Sequence, residues 1–94
     1  MPRAILVNAK DNVAVLVEPV QQGETVCVDR NGQSPLELAA VQDIPVYHKM
    51  ALMEIKMGAP VVKYGEEIGI ATANIARGSH VHVHNVASRA MQEK

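Results

Sequence analysis

One seven-residue pattern occurs three times in the chain: VQQGETV at residues 20–26, IKMGAPV at 55–61 and IARGSHV at 75–81. In each copy, a glycine stands three positions after an apolar residue and three before a valine. Because glycine adopts a left-handed backbone conformation without steric cost, each copy is typical of one helical turn that ends at the glycine before a strand begins. Three such corners in 94 residues predict a chain that folds short strands back over one another.

The composition favours strands between these corners. Hydrophobic residues make up 48% of the chain, mainly as short runs rich in valine and isoleucine, and Tyr47 and Tyr64 are the two aromatic residues. β-Branched residues favour strands, and no window of about 11 residues carries a helical apolar stripe. The predicted strands are residues 4–7, 13–17, 25–28, 36–40, 48–52, 61–63, 68–71 and 80–86.

These features predict a mainly β domain, clip-like or barrel-like, with short helical turns at its corners. The length suits one domain over residues 1–94, with the core at about 5–86 and a frayed polar tail at 87–94. We expect Asp11 and Asn12 to form a turn between the first two strands.

Charge and cysteine content exclude several classes of protein. The net charge is -1, and two aromatic residues cannot form a base-stacking surface, so we expect no nucleic acid partner. Cys27 is the single cysteine, which excludes an intrachain disulfide or a paired-cysteine zinc site and favours a cytoplasmic location. No apolar stretch has the length of a signal-peptide core or a membrane span, so we expect no membrane partner.

The segment GSHVHVHN at residues 78–85 carries three of the four histidines. In a strand, alternate side chains share a face, so His80, His82 and His84 would line one surface while Val81 and Val83 enter the core. Two neighbouring imidazoles can bind one metal ion, with a third ligand from elsewhere, for which His48 is the remaining histidine. The alternative is a solvated edge strand whose polar residues block aggregation.

Two lysines and a tyrosine form a second group of candidates. Lys49 and Lys63 could bind a carboxylate or a sulfonate, and Tyr64 could donate a hydrogen bond or relay a proton. The alternative is that both lysines only solvate the surface, as most lysines do.

Several segments together resemble the N-terminal SAF domain of the altronate dehydratase family. They are DNVAV at 11–15, HKMAL at 48–52, VKYG at 62–65, IGIA at 68–71 and GSHVHVHN at 78–85. The resemblance implies a β-clip fold and a separate large catalytic subunit or domain. The family that the chain resembles includes sugar-acid dehydratases and the alpha subunit of the two-subunit sulfolactate sulfo-lyase. Tyr47 departs from the family pattern, which usually has glycine before His-Lys.

The resemblance also implies a site. A divalent metal, Fe²⁺ or Mn²⁺ rather than Zn²⁺, would be held by His48, His82 and His84. His80 and Asn85 would support these ligands, Asn85 by fixing a histidine tautomer. Lys49 and Lys63 would bind the substrate, and Tyr64 and Lys63 would act in catalysis.

The implied reaction is elimination of water across C2–C3 of a sugar acid such as altronate, catalysed together with the large subunit. One alternative is the alpha subunit of a sulfolactate sulfo-lyase, acting on a sulfonated hydroxy acid. An alternative of another class is a non-catalytic module that binds a sugar acid or glycan. Self-association of the chain is left open.

Overall fold

The computed structural model of the chain describes residues 1–88, which fold into short strands joined by tight turns. None of these residues forms a helix with the length and apolar character that crossing a membrane requires. The strands are β1 (Arg3–Ile5), β2 (Val13–Leu16), β3 (Thr25–Arg30), β4 (Gln33–Ala39), β5 (Lys49–Ala51), β6 (Pro60–Lys63), β7 (Glu66–Ala71), β8 (His80–Val81) and β9 (Val86–Ser88).

Six strands form a mixed sheet in the order β4-β3-β1-β2-β5-β8, and three form a second sheet in the order β6-β7-β9. Strands β1 and β3 pair in parallel, and the other neighbours pair antiparallel. The expectation of a mainly β fold is confirmed. Ala87 and Ser88, which the sequence assigned to a polar tail, belong to β9. The rest of that predicted tail, residues 89–94, lies outside the described residues.

The corners are β-turns, so the prediction of short helical turns is wrong. One backbone hydrogen bond closes each corner, from Glu24 N to Gln21 O (3.0 Å) in the first copy and from Ala59 N to Lys56 O (2.9 Å) in the second. A single bond spanning three residues defines a β-turn, whereas a helical turn needs bonds spanning four. The left-handed glycines are confirmed, with φ between 87° and 90° at the three positions 23, 58 and 78.

The structure contains a fourth copy of the corner at residues 44–50, IPVYHKM, in which Tyr47 occupies the glycine position. Its φ is 69°, and His48 N donates to Pro45 O at 3.2 Å to close the turn. A bulky residue in this conformation costs about 1–3 kcal/mol, and such strain persists only where the surroundings enforce it. The sequence pattern missed this copy because it was defined by glycine.

The four corners pair in twos. Val20 bridges Ile44, and Ile55 bridges Ile75. Within the first pair, Tyr47 N donates to Leu16 O at 2.7 Å and Gly23 N donates to Ala40 O at 2.8 Å. The second pair repeats this exchange, from Gly58 N to Ala71 O and from Gly78 N to Ala51 O, both at 2.8 Å.

Each pair of corners lies over its own aliphatic core. The first cluster contains Ala4, Ala14, Leu16, Val20, Val26, Val28, Leu38, Ala40, Ile44 and Met50. The second contains Val13, Ala51, Ile55, Val61, Ala71, Ile75 and Val81. In β2, Val13 belongs to the second cluster and Ala14 to the first. In β5, Met50 belongs to the first cluster and Ala51 to the second, so these two strands separate the cores.

Asp11 and Asn12 join the two sheets through their side chains. The Asn12 carboxamide accepts from Val62 N at 2.8 Å and donates to Pro60 O at 3.0 Å. The buried carboxylate of Asp11 accepts from the backbone N–H groups of Tyr64 (3.1 Å) and Gly65 (2.8 Å), and from Asn8 N at 3.0 Å. These two residues therefore do more than form the predicted turn, because they attach the start of β2 to β6 and to the β6–β7 turn.

Replacing the Asp11 carboxylate should destabilise the protein strongly. Asp11→Ala leaves three backbone N–H groups without their acceptor, and we expect a loss of about 3 kcal/mol in the free energy of unfolding. Asp29→Ala is the matched control, because the exposed Asp29 carboxylate accepts one bond within a hairpin, from Asn31 N. It should cost about 1 kcal/mol or less. Urea unfolding followed by circular dichroism measures both, and equal losses would contradict the assigned role.

Candidate functional site

Three imidazoles converge from two separate parts of the chain. His48 immediately precedes β5, His80 opens β8, and His82 follows β8; the antiparallel pairing of β5 with β8 brings the three together. Their ligating nitrogens all lie within 4.8 Å of one another, and His48 Nδ1 is 2.7 Å from His80 Nε2. A metal ion bound at about 2.0–2.1 Å from each nitrogen requires the nitrogens to lie roughly 3–4 Å from one another. Small rotations of the rings would provide this spacing.

His84, a predicted metal ligand, lies outside this group, and His80, predicted to support the ligands, lies within it. The predicted strand over residues 80–86 ends at Val81, and a turn follows, closed by Asn85 N donating to His82 O at 3.0 Å. The alternation of side chains therefore stops. Val81 is buried, but Val83 is 81% exposed, so the prediction that Val83 enters the core is wrong. His84 is exposed, with its ring centre 4.9 Å from that of His80.

Two amides hold the backbone that carries His80 and His82. Asn85 Oδ1 accepts from His82 N, and Asn85 Nδ2 donates to His80 O, both at 2.9 Å. Gln42 Oε1 accepts from His80 N at 2.9 Å. The sequence predicts that Asn85 orients a histidine ring, whereas these hydrogen bonds are to the main chain. Gln42 was missed, since it belongs to no motif and comes from the loop before β5.

The surroundings favour the neutral form of the His80 and His82 imidazoles. Burial, followed by the charges of His84, His48, His82 and Lys49, lowers the pKa of His80 to about 4. Burial, followed by the neighbouring cations, also lowers the pKa of His82. A neutral imidazole has a free lone pair, so at neutral pH these rings are in the form that binds metal.

A cavity of about 200 Å³ adjoins the cluster and shares His82 with it. Lys49 is half-buried in its wall, and burial together with the nearby Lys63 ammonium lowers the pKa of Lys49. The other lining residues are Ile68, Val83, Val86 and Ser88. A second cavity, beside Arg30 at the β3–β4 hairpin, contains none of the predicted site residues.

Lys63 and Tyr64 lie at the end of β6, in the turn that Asp11 holds. Lys63 Nζ is 4.6 Å from the centre of the Tyr64 ring. Tyr64 has a φ of 59° and is 61% exposed. Lys63 therefore lies near enough to Lys49 to influence its charge, and the Tyr64 ring lies beside Lys63 on the open surface.

The chain is similar to several known proteins. Residues 2–89 match the family described as the altronate/galactarate dehydratase SAF domain. The altronate dehydratase of Escherichia coli (strain K12) is 44% identical over 81 residues, which are 86% of this chain and 15% of that enzyme. The chain thus spans a small part of that relative's length.

Two other relatives are similar to the chain over most of their own length. The (2R)-sulfolactate sulfo-lyase subunit alpha of Paracoccus pantotrophus is 41% identical over 64 residues, 68% of this chain and 96% of that subunit. The corresponding subunit of Chromohalobacter salexigens is 34% identical over 86 residues, 87% of this chain and 89% of that subunit. The resemblance seen in the sequence is confirmed: the chain belongs to the altronate/galactarate dehydratase SAF domain family, a module related to dehydratases and other lyases.

Proposed function

We propose that the chain is the small, metal-holding subunit of a hydro-lyase that eliminates water across C2–C3 of a sugar acid such as altronate. The observation that carries this proposal is the convergence of His48, His80 and His82 beside a lysine-bearing cavity. Such a cluster has no evident structural need, because both cores are aliphatic and lie elsewhere.

The residues present fit a divalent transition metal. His48, His80 and His82 would hold it through three nitrogens, and the lowered pKa values of His80 and His82 suit metal binding. We propose Fe²⁺ or Mn²⁺ rather than Zn²⁺ on the basis of the family resemblance; imidazole binds all of these ions.

A bound ion would supply positive charge to stabilise the negative charge that develops on the substrate when a base, supplied by the large subunit, takes the C2 proton. The chain's own residues would then serve the leaving group. Tyr64 carries an O–H that can protonate the departing C3 hydroxyl, and Lys63, 4.6 Å from the ring centre, holds positive charge beside it. Both side chains project from the turn that Asp11 fixes, so their position is preorganised.

A separate large subunit would complete this site. Val83 at one edge is 81% exposed and Tyr64 is 61% exposed, so the site is open on the surface of this small domain. An elimination site needs substrate enclosed and water excluded, which a second body would provide.

The second candidate is the alpha subunit of a sulfolactate sulfo-lyase, in which sulfite leaves instead of water. One observation favours it: the chain spans 96% and 89% of two such subunits but only 15% of an altronate dehydratase. The same metal cluster and lysines would serve either substrate, because both are hydroxy acids with a carboxylate.

Removing a metal-binding imidazole should abolish tight metal binding. His48→Ala, His80→Ala and His82→Ala should each weaken Mn²⁺, Fe²⁺ or Zn²⁺ binding by at least about a hundredfold, more than loss of an outer-shell contact usually costs. His84→Ala is the matched control and should leave the affinity nearly unchanged. Isothermal titration calorimetry measures the affinities. Undiminished binding in the first three variants, or an equal loss in the control, would contradict this ligand set.

The lowered pKa of His80 should make stability depend on pH. Between the ordinary imidazole value of 6.5 and the folded value of about 4, the unfolded chain binds more protons than the folded one. In metal-free protein, the free energy of unfolding should therefore fall as pH drops through this window. His80→Gln should show a smaller fall in urea unfolding at pH 4.5 and 7. An identical fall in both proteins would contradict the assignment.

Elimination should require the complementary part of the enzyme. The metal-loaded chain alone should not turn over altronate or (2R)-sulfolactate. Adding the E. coli altronate dehydratase without its matching segment, or the partner of the Paracoccus alpha subunit, should restore elimination with one of these substrates, detected by NMR of the product. Turnover by the chain alone would contradict the need for a partner. A stable, metal-loaded complex without turnover would contradict the lyase function and favour a binding module.

A further inference from the structure

Two lysine ammonium groups carry positive charge in this region: Lys49 lines the cavity, and Lys63 stands at the end of β6. Among residues 1–88, the one ion pair within 4.0 Å is Lys56 with Glu54, so neither Lys49 nor Lys63 is neutralised in this way. Glu66 faces Lys63 in the β6–β7 register, but its oxygens do not come within 4.0 Å of the ammonium. Lys49 and Lys63 are close enough to act on each other electrostatically.

This arrangement opposes folding unless a ligand compensates it. Lys49 is half-buried, and partial removal of a charge from water is unfavourable without a partner. The nearby like charge adds repulsion. A chain under selection for stability alone would place a carboxylate or an apolar residue here, since either would remove the repulsion.

We propose that Lys49, with the nearby positive charge of Lys63, forms an oxyanion-binding subsite that takes the carboxylate or sulfonate of a hydroxy-acid substrate in the cavity beside the histidine cluster. The subsite rests on the proposed function for its substrate class. His82 lines the cavity and also belongs to the cluster, so a bound anion lies directly next to the metal ligands.

The walls of the cavity indicate which end of the substrate it holds. Ile68, Val83 and Val86 make part of the wall apolar, while Lys49, His82 and Ser88 supply its polar side chains. This small, mixed wall suits a compact charged group whose oxygens face Lys49. A polyol chain would extend outward past Val83, which is 81% exposed, toward solvent or a partner subunit.

Nuclear magnetic resonance of the metal-free chain tests this subsite. The ¹⁵N-labelled protein in EDTA is titrated at constant ionic strength with glycerate, methanesulfonate or neutral glycerol. Glycerate should shift the amide signals of Lys49, Ile68 and Val83 saturably, and glycerol should not. A shift with glycerate but not methanesulfonate assigns the subsite to carboxylates, and the reverse assigns it to sulfonates.

Matched variants identify the charges responsible. Lys49→Met and Lys63→Met should each weaken binding of the effective anion at least about tenfold, while Lys56→Met, at an exposed and ion-paired lysine, should not. Thermal unfolding should show no loss of stability in Lys49→Met, because it removes an uncompensated charge. Its spectrum also shows directly whether the variant is folded.

Three results would overturn the subsite. They are no saturable shift with either anion, shifts centred on Arg30 at the second cavity, and wild-type anion affinity in both Lys49→Met and Lys63→Met. None of these measurements involves a metal. The subsite can therefore fail while metal binding by the histidines stands, and the metal site can fail while anion binding stands.

Discussion

The two side chains of Asp11 and Asn12 are the constraint on which the site depends. The two sheets share no continuous ladder, and these side chains reinforce the backbone hydrogen bond from Asn12 N to Val62 O, 3.3 Å, that joins the start of β2 to β6. Asn12 also accepts from Leu52 N at 2.9 Å through its backbone carbonyl, which ties the end of β5 to the same point. Adjacent residues thus hold two parts of the site. One is β5, which begins at Lys49 directly after His48, and the other is the end of β6 and its turn, which carry Lys63 and Tyr64.

The paired corners bring the remaining site residues into place. Tyr47 N donates to Leu16 O, so the fourth corner lies against the end of β2 and delivers His48 to the start of β5. The pairing of β5 with β8 then brings His80 and His82 to His48. Tyr47 and Tyr64 are both held with positive φ, and each adjoins a site residue. Strained backbone conformations persist only where the surrounding structure enforces them, and they cluster at binding and catalytic sites.

The sequence predicted the strands and the left-handed glycines well, because alternation and glycine spacing are local properties. The predictions were wrong where particular hydrogen bonds, which residue spacing does not specify, determine the structure. The number of closing hydrogen bonds separates a β-turn from a helical turn, and the apolar-x-x-Gly spacing fits both. The split of residues 80–86 depends on the Asn85 side chain, which turns the chain back after Val81 and so places His80, rather than His84, with His48. Two of the three backbone partners of Asp11 lie more than fifty residues away, at Tyr64 and Gly65, so the sequence around it showed only a turn.

The central claim is that this fold gathers His48, His80 and His82 around one divalent ion. Long-range ¹H–¹⁵N correlation spectra of the histidine rings, recorded with Zn²⁺ as a diamagnetic substitute, test it most directly because each ring nitrogen is observed separately. We expect a large ¹⁵N shift of one nitrogen in each of these three rings at one equivalent of Zn²⁺. The ¹⁵N shifts of the His84 ring should stay nearly unchanged. Coordination shifts at His84 in place of His80, or at fewer than three rings, would contradict it.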